Sequence, residues 1–303
     1  MQVYDSVSEI IGKTPLVRLK GFGENLYGKC EFLNPSHSIK DRAAYAMIKK
    51  ALDETHISKE TTIIECTSGN MGISLAMICA TLGLKIILTM PESMSIERRK
   101  MMALFGAKLE LTPASDGMKG AYERALALHK DIKNSFIPSQ FENLANKFAH
   151  RENTAVEILN DLDGKIDYFV AGFGTSGTIS GVGEVLKEKF ADKVKIIAVE
   201  PAASPLLSEG KAGGHKIQGI GANFIPKILN QSVIDEIQTI SNEDAIATAR
   251  ELALKNGLMV GISSGANVFI ASKIAKANPD KIIVTMLNDT AERYLSTDLF
   301  AGI

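Results

Sequence analysis

The stretch DYFVAGFGTSGTISG, residues 167–181, runs from an apolar segment into a turn of glycines and hydroxyl residues. This pattern predicts a buried strand that ends at the turn and a helix that begins after it. The glycines spell G-x-G-x-x-G, and Glu200 closes the next apolar run at about the place of the ribose-binding acid of a dinucleotide fold. The turn also contains four hydroxyl residues, Thr175, Ser176, Thr178 and Ser180. Hydroxyl donors suit a compact terminal phosphate, so the residues alone leave both ligands open.

Short apolar runs alternate with helical patterns on both sides of this stretch. The apolar runs that predict strands are residues 61–66, 85–91, 108–113, 194–201 and 281–287. The helical patterns are residues 72–83, 95–107, 118–131, 149–162, 178–189, 242–257 and 265–277. Apolar strands between helices predict mostly parallel sheets that are covered on both faces. Two such series, roughly 40–147 and 150–303, predict an α/β protein of two domains.

Three loops rich in glycine and hydroxyl residues follow apolar runs and precede predicted helices. They are CTSGNMG at 66–72, GFGTSGTISG at 172–181 and GISSGAN at 261–267. Ligands of open α/β sheets bind at the carboxyl ends of strands, and helix N-termini bind anions, so these loops are the candidate site. The ordinary alternative is helix capping by Ser68 or Asn70 in the first loop and by Ser263 or Ser264 in the third.

The segment NPSHSIKDRAA, residues 34–44, predicts a turn and then a helix that begins close to Lys40. A lysine at a helix N-terminus faces the positive end of the helix dipole, which favours its neutral amine. A neutral amine is what Schiff-base chemistry needs. The ordinary alternative is a solvated lysine.

Composition excludes several other classes of protein. The net charge of −1 favours neither nucleic acid nor an anionic membrane. Three scattered cysteines, Cys30, Cys66 and Cys79, indicate reduced thiols of a cytoplasmic protein, and the first residues predict no signal peptide. The five histidines lack ligand spacing and there is no C-x-x-C, so we expect no metal.

Nine motifs, spread in order over nearly the whole chain, resemble the cysteine synthase/cystathionine β-synthase family of pyridoxal-phosphate enzymes. They are IGKTPLVRL at 11–19, NPSHSIKDR at 34–42, TSGNMGISLA at 67–76, PESMSIERRKMMALFGA at 91–107, QFEN at 140–143, GFGTSGTISG at 172–181, GIGANFIP at 219–226, GISSGAN at 261–267 and ERYLST at 292–297. The resemblance is to cysteine synthases (O-acetylserine sulfhydrylases) in particular. No single motif is specific, but their common order is.

The resemblance implies a tryptophan synthase β-like fold of type II, with two mostly parallel sheets flanked by helices. It implies a smaller, mobile domain at 40–147 that carries the substrate loop, and a larger cofactor-binding domain made of 1–39 plus 148–303. The implied activity is β-replacement, a transferase reaction that forms L-cysteine from O-acetyl-L-serine and sulfide through an aminoacrylate. The implied assembly is a homodimer, with the C-terminal peptide of a serine acetyltransferase as a further partner.

The resemblance also implies a role for individual residues. Lys40 forms the Schiff base with pyridoxal 5′-phosphate and acts as the acid and base, and Asn70 binds the 3′-oxygen of the cofactor. The residues implied to hold the 5′-phosphate are Gly174, Thr175, Ser176, Gly177 and Thr178. Ser263 faces the pyridine nitrogen, with Ser264 as the second choice. The residues implied to bind substrate are Thr67, Ser68, Met71 and Gln140.

This sequence departs from the family pattern in four segments that should line the active cleft. They are Cys66, Met71 in place of threonine, Asn223 in place of glycine, and Asn288-Asp289-Thr290. The choice of substrate and nucleophile therefore stays open among cysteine synthase, cystathionine β-synthase, an O-phosphoserine-dependent synthase and a sulfide-releasing cysteine lyase. A nicotinamide-dependent oxidoreductase and a catalytically silent binding paralogue are the alternatives from other classes.

Overall fold

The structure, a computed structural model, describes residues 3–303. Its strands are β1 Leu16–Arg18, β2 Leu26–Cys30, β3 Thr62–Cys66, β4 Lys85–Pro91, β5 Lys108–Thr112, β6 Ser135–Phe136, β7 Tyr168–Gly172, β8 Lys195–Pro201, β9 Glu236–Ile240 and β10 Ile283–Leu287. Its α-helices are α1 Lys40–Asp53, α2 Asn70–Leu82, α3 Ile96–Leu104, α4 Gly117–Asp131, α5 Leu144–Ala149, α6 Ala155–Asp161, α7 Gly177–Phe190, α8 Leu206–Glu209, α9 Asn242–Asn256 and α10 Ile262–Ala277. The strands alternate with helices, as the apolar runs predict.

The chain forms two compact units. Unit 1 consists of Met1–Ile11 and Lys40–Asn146, and unit 2 of Gly12–Ile39 and Lys147–Ile303. Each unit contains one sheet, and the α/β class with two mostly parallel sheets is confirmed.

The sheet of unit 1 has the strand order β5-β4-β3-β6, and all of its neighbouring strands are parallel. Successive residues of a strand point to opposite faces, so one strand serves two cores. On β3, Ile63 belongs to the apolar cluster with α1, α2 and α3, whereas Ile64 packs with Ala125 and Leu128 of α4. Covering both faces leaves the carboxyl ends of the strands as the accessible edge, where the loop after β3 begins.

The sheet of unit 2 has the order β1-β2-β10-β7-β8-β9, in which only the β1–β2 pair is antiparallel. Val170 faces the cluster with α9 and α10, and Phe169 faces the cluster with α6 and α7. Strand β7 leads through the predicted loop 172–181 into α7. Strand β10 ends just before Asn288, which hydrogen-bonds both serines at the start of α10, in the predicted loop 261–267.

Three elements differ from the sequence prediction. The helix predicted at 265–277 begins three residues earlier, because Gly261 is the extended residue at its N-cap and the two serines lie inside its first turn. The helix predicted at 149–162 is interrupted by a π-helical segment, His150–Thr154. Such a turn is a rare insertion within a helix, and no residue type in the pattern marks it. The segment LYGKCEFL, residues 26–33, is strand-like throughout in sequence, but it leaves the sheet at Cys30 and becomes a 3₁₀ turn at Glu31–Leu33.

None of the helices in the described chain combines the length and the apolar composition of a transmembrane helix.

Candidate active site

The loop from β7 to α7 has a backbone shaped for close approach. At Gly174 a Cβ atom would lie 2.4 Å from the carbonyl oxygen of Gly219, so only glycine fits there. Ser176, at the N-cap of α7, has a left-handed backbone with φ of 70°. Its side chain is only 3% exposed, and no group within residues 3–303 hydrogen-bonds its Oγ. A buried hydroxyl without a partner is costly, and at the N-terminus of a 14-residue helix it suits an anion.

The other hydroxyls of this loop divide into two groups. Thr175 is buried, and Thr178 lies in the first turn of α7 with its Oγ1 3.3 Å from Nε2 of His150. Ser180, in contrast, accepts the backbone N–H of Asn230 at 2.9 Å through its Oγ. The hydroxyl of Ser180 is therefore committed to the packing of α7, whereas that of Ser176 has no partner among the described residues.

His150 holds Thr178 from the π-helical segment. Its ring is 2% exposed, and its Nδ1 lies 3.0 Å from Oγ1 of Thr154. The close packing of α7 on this segment depends on Gly181, where a Cβ would be 2.4 Å from the carbonyl oxygen of Lys147. The wide turn and the missing side chain together place an imidazole beside the loop.

The loop fits the phosphate of pyridoxal phosphate better than a dinucleotide. The phosphate is a compact dianion, and the loop offers an unpartnered buried hydroxyl, a second hydroxyl at Thr178 and the N-terminus of α7. Glu200, the candidate ribose acid, is fully buried and accepts the backbone N–H groups of Leu207 and Ser208 at 2.8 and 3.1 Å. The carboxylate of Glu200 therefore binds the backbone of α8 and not a ribose.

The two serines at the start of α10 have different surroundings. Oγ of Ser264 accepts the backbone N–H of Asn288 at 2.8 Å, and this side chain is fully buried. Oγ of Ser263 accepts from Nδ2 of Asn288 at 3.0 Å and lies 3.6 Å from the place of a Cβ at Gly219, the glycine that also faces Gly174. Ser263 is therefore the serine beside the phosphate loop, and it still has its own hydroxyl hydrogen to donate.

The backbone conformation at Asn223 suits the glycine of the family pattern. Its φ is 62°, in the left-handed region that asparagine tolerates better than most residues. Its Oδ1 accepts the hydroxyl of Ser204 at 2.7 Å, which fixes the side chain in this conformation. The substitution thus keeps the backbone shape of the 219–226 segment.

In unit 1, Lys40 is the first residue of α1 and is half-buried. The next residue, Asp41, is fully buried and accepts the hydroxyl of Ser74 on α2 at 2.6 Å. This bond ties the first turn of α1 to the first turns of α2, which begins at Asn70. A buried acid in the first turn is stabilised by the helix dipole. The lysine and the asparagine are therefore carried by two helices that are fastened at their N-terminal ends.

The loop TSGN forms no side-chain cap on α2. The N-cap is Gly69, and the structure records no side-chain hydrogen bond there. Thr67 is 6% exposed and its Oγ1 accepts the N–H of Gly69 at 3.4 Å. The capping interpretation of Ser68 and Asn70 is therefore wrong, as it also is for the serines of α10, whose N-cap is a glycine.

Met71 lies in the buried apolar cluster of unit 1 and is 2% exposed. The next residue, Gly72, has its Cα against both Met102 and Thr67, since a Cβ would lie 2.7 Å from Cε of Met102 and 3.1 Å from Cγ2 of Thr67. Met71 therefore replaces a hydroxyl of the family pattern with a side chain that fills the core.

Gln140, the last predicted substrate residue, is buried in the loop that precedes α5. The backbone N–H groups of Ser139 and Gln140 both donate to the carboxylate of Glu65 on β3. Burial raises the pKa of Glu65 to about 7, and the hydrogen bonds from the loop counter part of this rise.

Sequence reasoning missed three residues that position these loops. Glu65 could have been noticed as an acid inside an apolar strand, and His150 as a histidine in a helical pattern. Asn267 joins two strands, because its Oδ1 accepts the N–H of Gly172 and its Nδ2 donates to the carbonyl of Met286. Nothing in the local sequence pattern indicates that this asparagine hydrogen-bonds two strands.

The cysteines do not offer a nucleophile. Burial raises the pKa of Cys30 and Cys66 to about 11 and that of Cys79 to about 12, so all three are thiols at neutral pH. In the part of the chain that the structure describes, no group of three or more His, Cys, Asp or Glu side chains is placed to hold a metal ion.

Comparison with known proteins identifies the family. Residues 7–289 match the family model of the pyridoxal-phosphate dependent enzymes. The chain is 70% identical over 301 residues to cysteine synthase B of Campylobacter jejuni, covering 99% of this chain and 100% of that one. A crystal structure of cysteine synthase from Entamoeba histolytica has a TM-score of 0.95 and 43% identity, covering 99% of this chain and 91% of that chain. A crystal structure of O-ureido-L-serine synthase has a TM-score of 0.96 and 42% identity, covering 100% and 96%.

These matches extend over nearly the whole chain and agree with the fold of two mostly parallel sheets. The chain belongs to the pyridoxal-phosphate-dependent enzyme family, in the branch of the cysteine synthases.

Proposed function

We propose that the protein forms L-cysteine from O-acetyl-L-serine and sulfide. The observation that carries this proposal is the phosphate cradle at Ser176, which fits the cofactor in a chain so similar to cysteine synthase B. Bound pyridoxal phosphate supplies an electron sink for bond breaking at Cα of an amino acid.

Cofactor binding is assigned residue by residue. Gly174, Thr175, Ser176, Gly177 and Thr178 would hold the phosphate, Asn70 would bind the 3′-oxygen, and Lys40 would bind the aldehyde. Ser263 donates its hydroxyl hydrogen to the pyridine nitrogen. The choice of Ser263 over Ser264 is supported by position, since Oγ of Ser263 lies 3.6 Å from the place of a Cβ at Gly219, which faces Gly174.

Substrate binding is assigned to the loop after β3 and to Gln140. The hydroxyls of Thr67 and Ser68 and the amide of Gln140 bind the α-carboxylate. Met71 contributes its backbone N–H, one of the N–H groups at the start of α2 that have no intrahelical acceptor. These residues all belong to unit 1, whereas the loop from β7 to α7 belongs to unit 2.

The reaction is carried by one proton shuttle at Lys40. The amine of Lys40, released when the amino group of the substrate takes its place, removes the proton from Cα of O-acetyl-L-serine, and the bond from Cβ to the oxygen breaks with loss of acetate. Sulfide then forms the C–S bond at Cβ, and Lys40 returns the proton to Cα.

The test is a comparison of substrates with the purified holoenzyme. We expect cysteine from O-acetyl-L-serine and sulfide to form at least about a hundredfold faster than cystathionine from serine and homocysteine. O-Phosphoserine, and cysteine alone as a source of sulfide, complete the panel. Negligible cysteine formation from O-acetyl-L-serine would overturn the proposal, and a colourless protein that binds NAD would favour an oxidoreductase.

The assembly and location are part of the same proposal. We infer a cytoplasmic homodimer that binds the C-terminal peptide of a serine acetyltransferase, which the family resemblance supports. Light scattering tests the dimer, and a monomer at micromolar concentration would contradict it. Co-elution with a serine acetyltransferase tests the second partner.

A further inference from the structure

Glu65 is a buried acid near the end of an otherwise apolar strand. It is 4% exposed and is the fourth residue of β3, TIIEC. Its Oε2 accepts the N–H of Ser139 at 3.0 Å and its Oε1 accepts the N–H of Gln140 at 3.4 Å. The side-chain amide of Gln140 lies close enough to the same carboxylate to lower its pKa. Glu65 thus interacts with this loop residue at its backbone and at its amide.

The rest of the loop fixes Gln140 from the other side. The carbonyl of Gln140 accepts from Nδ2 of Asn146 at 2.8 Å, and Gln140 is 5% exposed. Ser139 has a left-handed φ of 57°, which turns two successive N–H groups toward the strand. Asn143 closes the turn by donating to the carbonyl of Pro138 at 3.0 Å. The backbone is therefore held at each end, and the carboxylate determines where the amide points.

The position of Glu65 links this loop to the other half of the carboxylate site. Thr67 follows two residues later, and its N–H continues the pairing with β4 at the carbonyl of Thr89. One strand end therefore sets the position of both Thr67 and Gln140.

We propose that Glu65 is a positioning residue that orients the amide of Gln140 toward the α-carboxylate of the amino-acid substrate. This inference rests on the proposed function, which assigns carboxylate binding to Gln140. When it is ionised, above its pKa of about 7, the Glu65 carboxylate only accepts hydrogen bonds, so it selects the NH₂ group of the Gln140 amide and not its carbonyl. The second N–H of that group is then left to donate to the substrate.

Loss of the carboxylate removes this selection. In Glu65→Gln the new amide presents an acceptor and a donor of similar shape, so the Gln140 amide can turn its carbonyl toward the substrate. A carbonyl oxygen facing a carboxylate repels it. The variant should therefore bind the amino acid more weakly while the chemistry at Lys40 is kept.

Glu200 provides a matched control. It too is a buried glutamate near the end of a parallel strand, and it accepts two successive backbone N–H groups, those of Leu207 and Ser208. Glu200→Gln changes the same chemical group in unit 2 and should lower stability without affecting binding of the amino acid.

The test is steady-state kinetics of the holoenzymes. We expect Glu65→Gln to raise KM for O-acetyl-L-serine about tenfold, the loss of one charge-assisted hydrogen bond, with kcat within about twofold. In a Gln140→Ala background the same change should raise KM less than about twofold, because Glu65 acts through Gln140. KM should be unchanged in Glu200→Gln. An unchanged KM in Glu65→Gln, or an equal rise in the Gln140→Ala background, would overturn the inference.

A second measurement needs no variant. Amide hydrogen exchange of the wild-type holoenzyme should show the N–H groups of Ser139 and Gln140 protected about a hundredfold relative to an exposed loop. Exchange at the rate of an exposed loop would refute the inference even if Glu65→Gln did not fold. A wild type that makes no cysteine would instead refute the proposed function, so the two failures are distinguishable.

Discussion

Replacing Ser176 with alanine should change the apoenzyme and the holoenzyme in opposite directions. Burying an unpartnered hydroxyl costs about 1–3 kcal/mol, and Oγ of Ser176 is such a group. Ser176→Ala removes this cost without leaving another group unpaired, so the free energy of unfolding of the apoenzyme should rise by about 1 kcal/mol. The same hydroxyl is proposed to donate to the cofactor phosphate. Loss of this hydroxyl should weaken the binding of pyridoxal phosphate by about 2 kcal/mol, which raises Kd about 30-fold.

A control on the same helix gives the contrary pattern. Ser180→Ala leaves the N–H of Asn230 without its acceptor, so the apoenzyme should lose about 1–3 kcal/mol while the cofactor affinity is kept. The chain has no tryptophan, so urea unfolding is followed by far-ultraviolet circular dichroism. Absorbance titration of the apoenzyme gives Kd. If Ser176→Ala destabilised the apoenzyme or left Kd unchanged, the phosphate cradle would be wrong.

Two further predictions concern the loop backbone and the buried acid. Gly174→Ala should abolish cofactor retention, because the new Cβ would lie 2.4 Å from the carbonyl oxygen of Gly219. Gly214→Ala is the control and should retain the cofactor, because a Cβ there would have no atom within 4 Å. Retention of the cofactor by both variants would contradict this prediction. Glu65 has its pKa raised from 4.5 to about 7, so the folded state binds the proton more tightly and stability falls as pH rises through this window. The free energy of unfolding should fall by about 3 kcal/mol across this window. Urea unfolding at pH 5 and pH 8 should show a smaller fall in Glu65→Gln than in the wild type. An equal fall in both proteins would refute the raised pKa of Glu65.

Much of the fold could be predicted because burial on both faces leaves a local signature. Runs such as TTIIEC and KIILTMP are too short for helices and too apolar for exposed strands, so they predict parallel sheets. Strand order has no such signature. The pairing of β2 with β10 joins residues 26–30 to residues 283–287, and no local pattern specifies a contact across that distance.

The loops that form the candidate site could be predicted from the sequence, but the function of each residue in them could not. The glycines of the β7–α7 loop fit a dinucleotide as well as a phosphate, because both need a backbone that approaches closely. What separates the two is tertiary, namely the unpartnered hydroxyl of Ser176 and the commitment of Glu200 to α8. The capping interpretation failed for the same reason, since residue type alone does not say where a serine or asparagine side chain points.

The most direct test of the account is to locate the cofactor on the chain. Borohydride reduction fixes pyridoxal phosphate on the lysine that holds it, and peptide mass spectrometry then identifies that lysine. We predict that the modified peptide contains Lys40 and that Lys40→Ala loses both the modification and cysteine formation. Modification of a different lysine, or full activity of Lys40→Ala, would contradict the account.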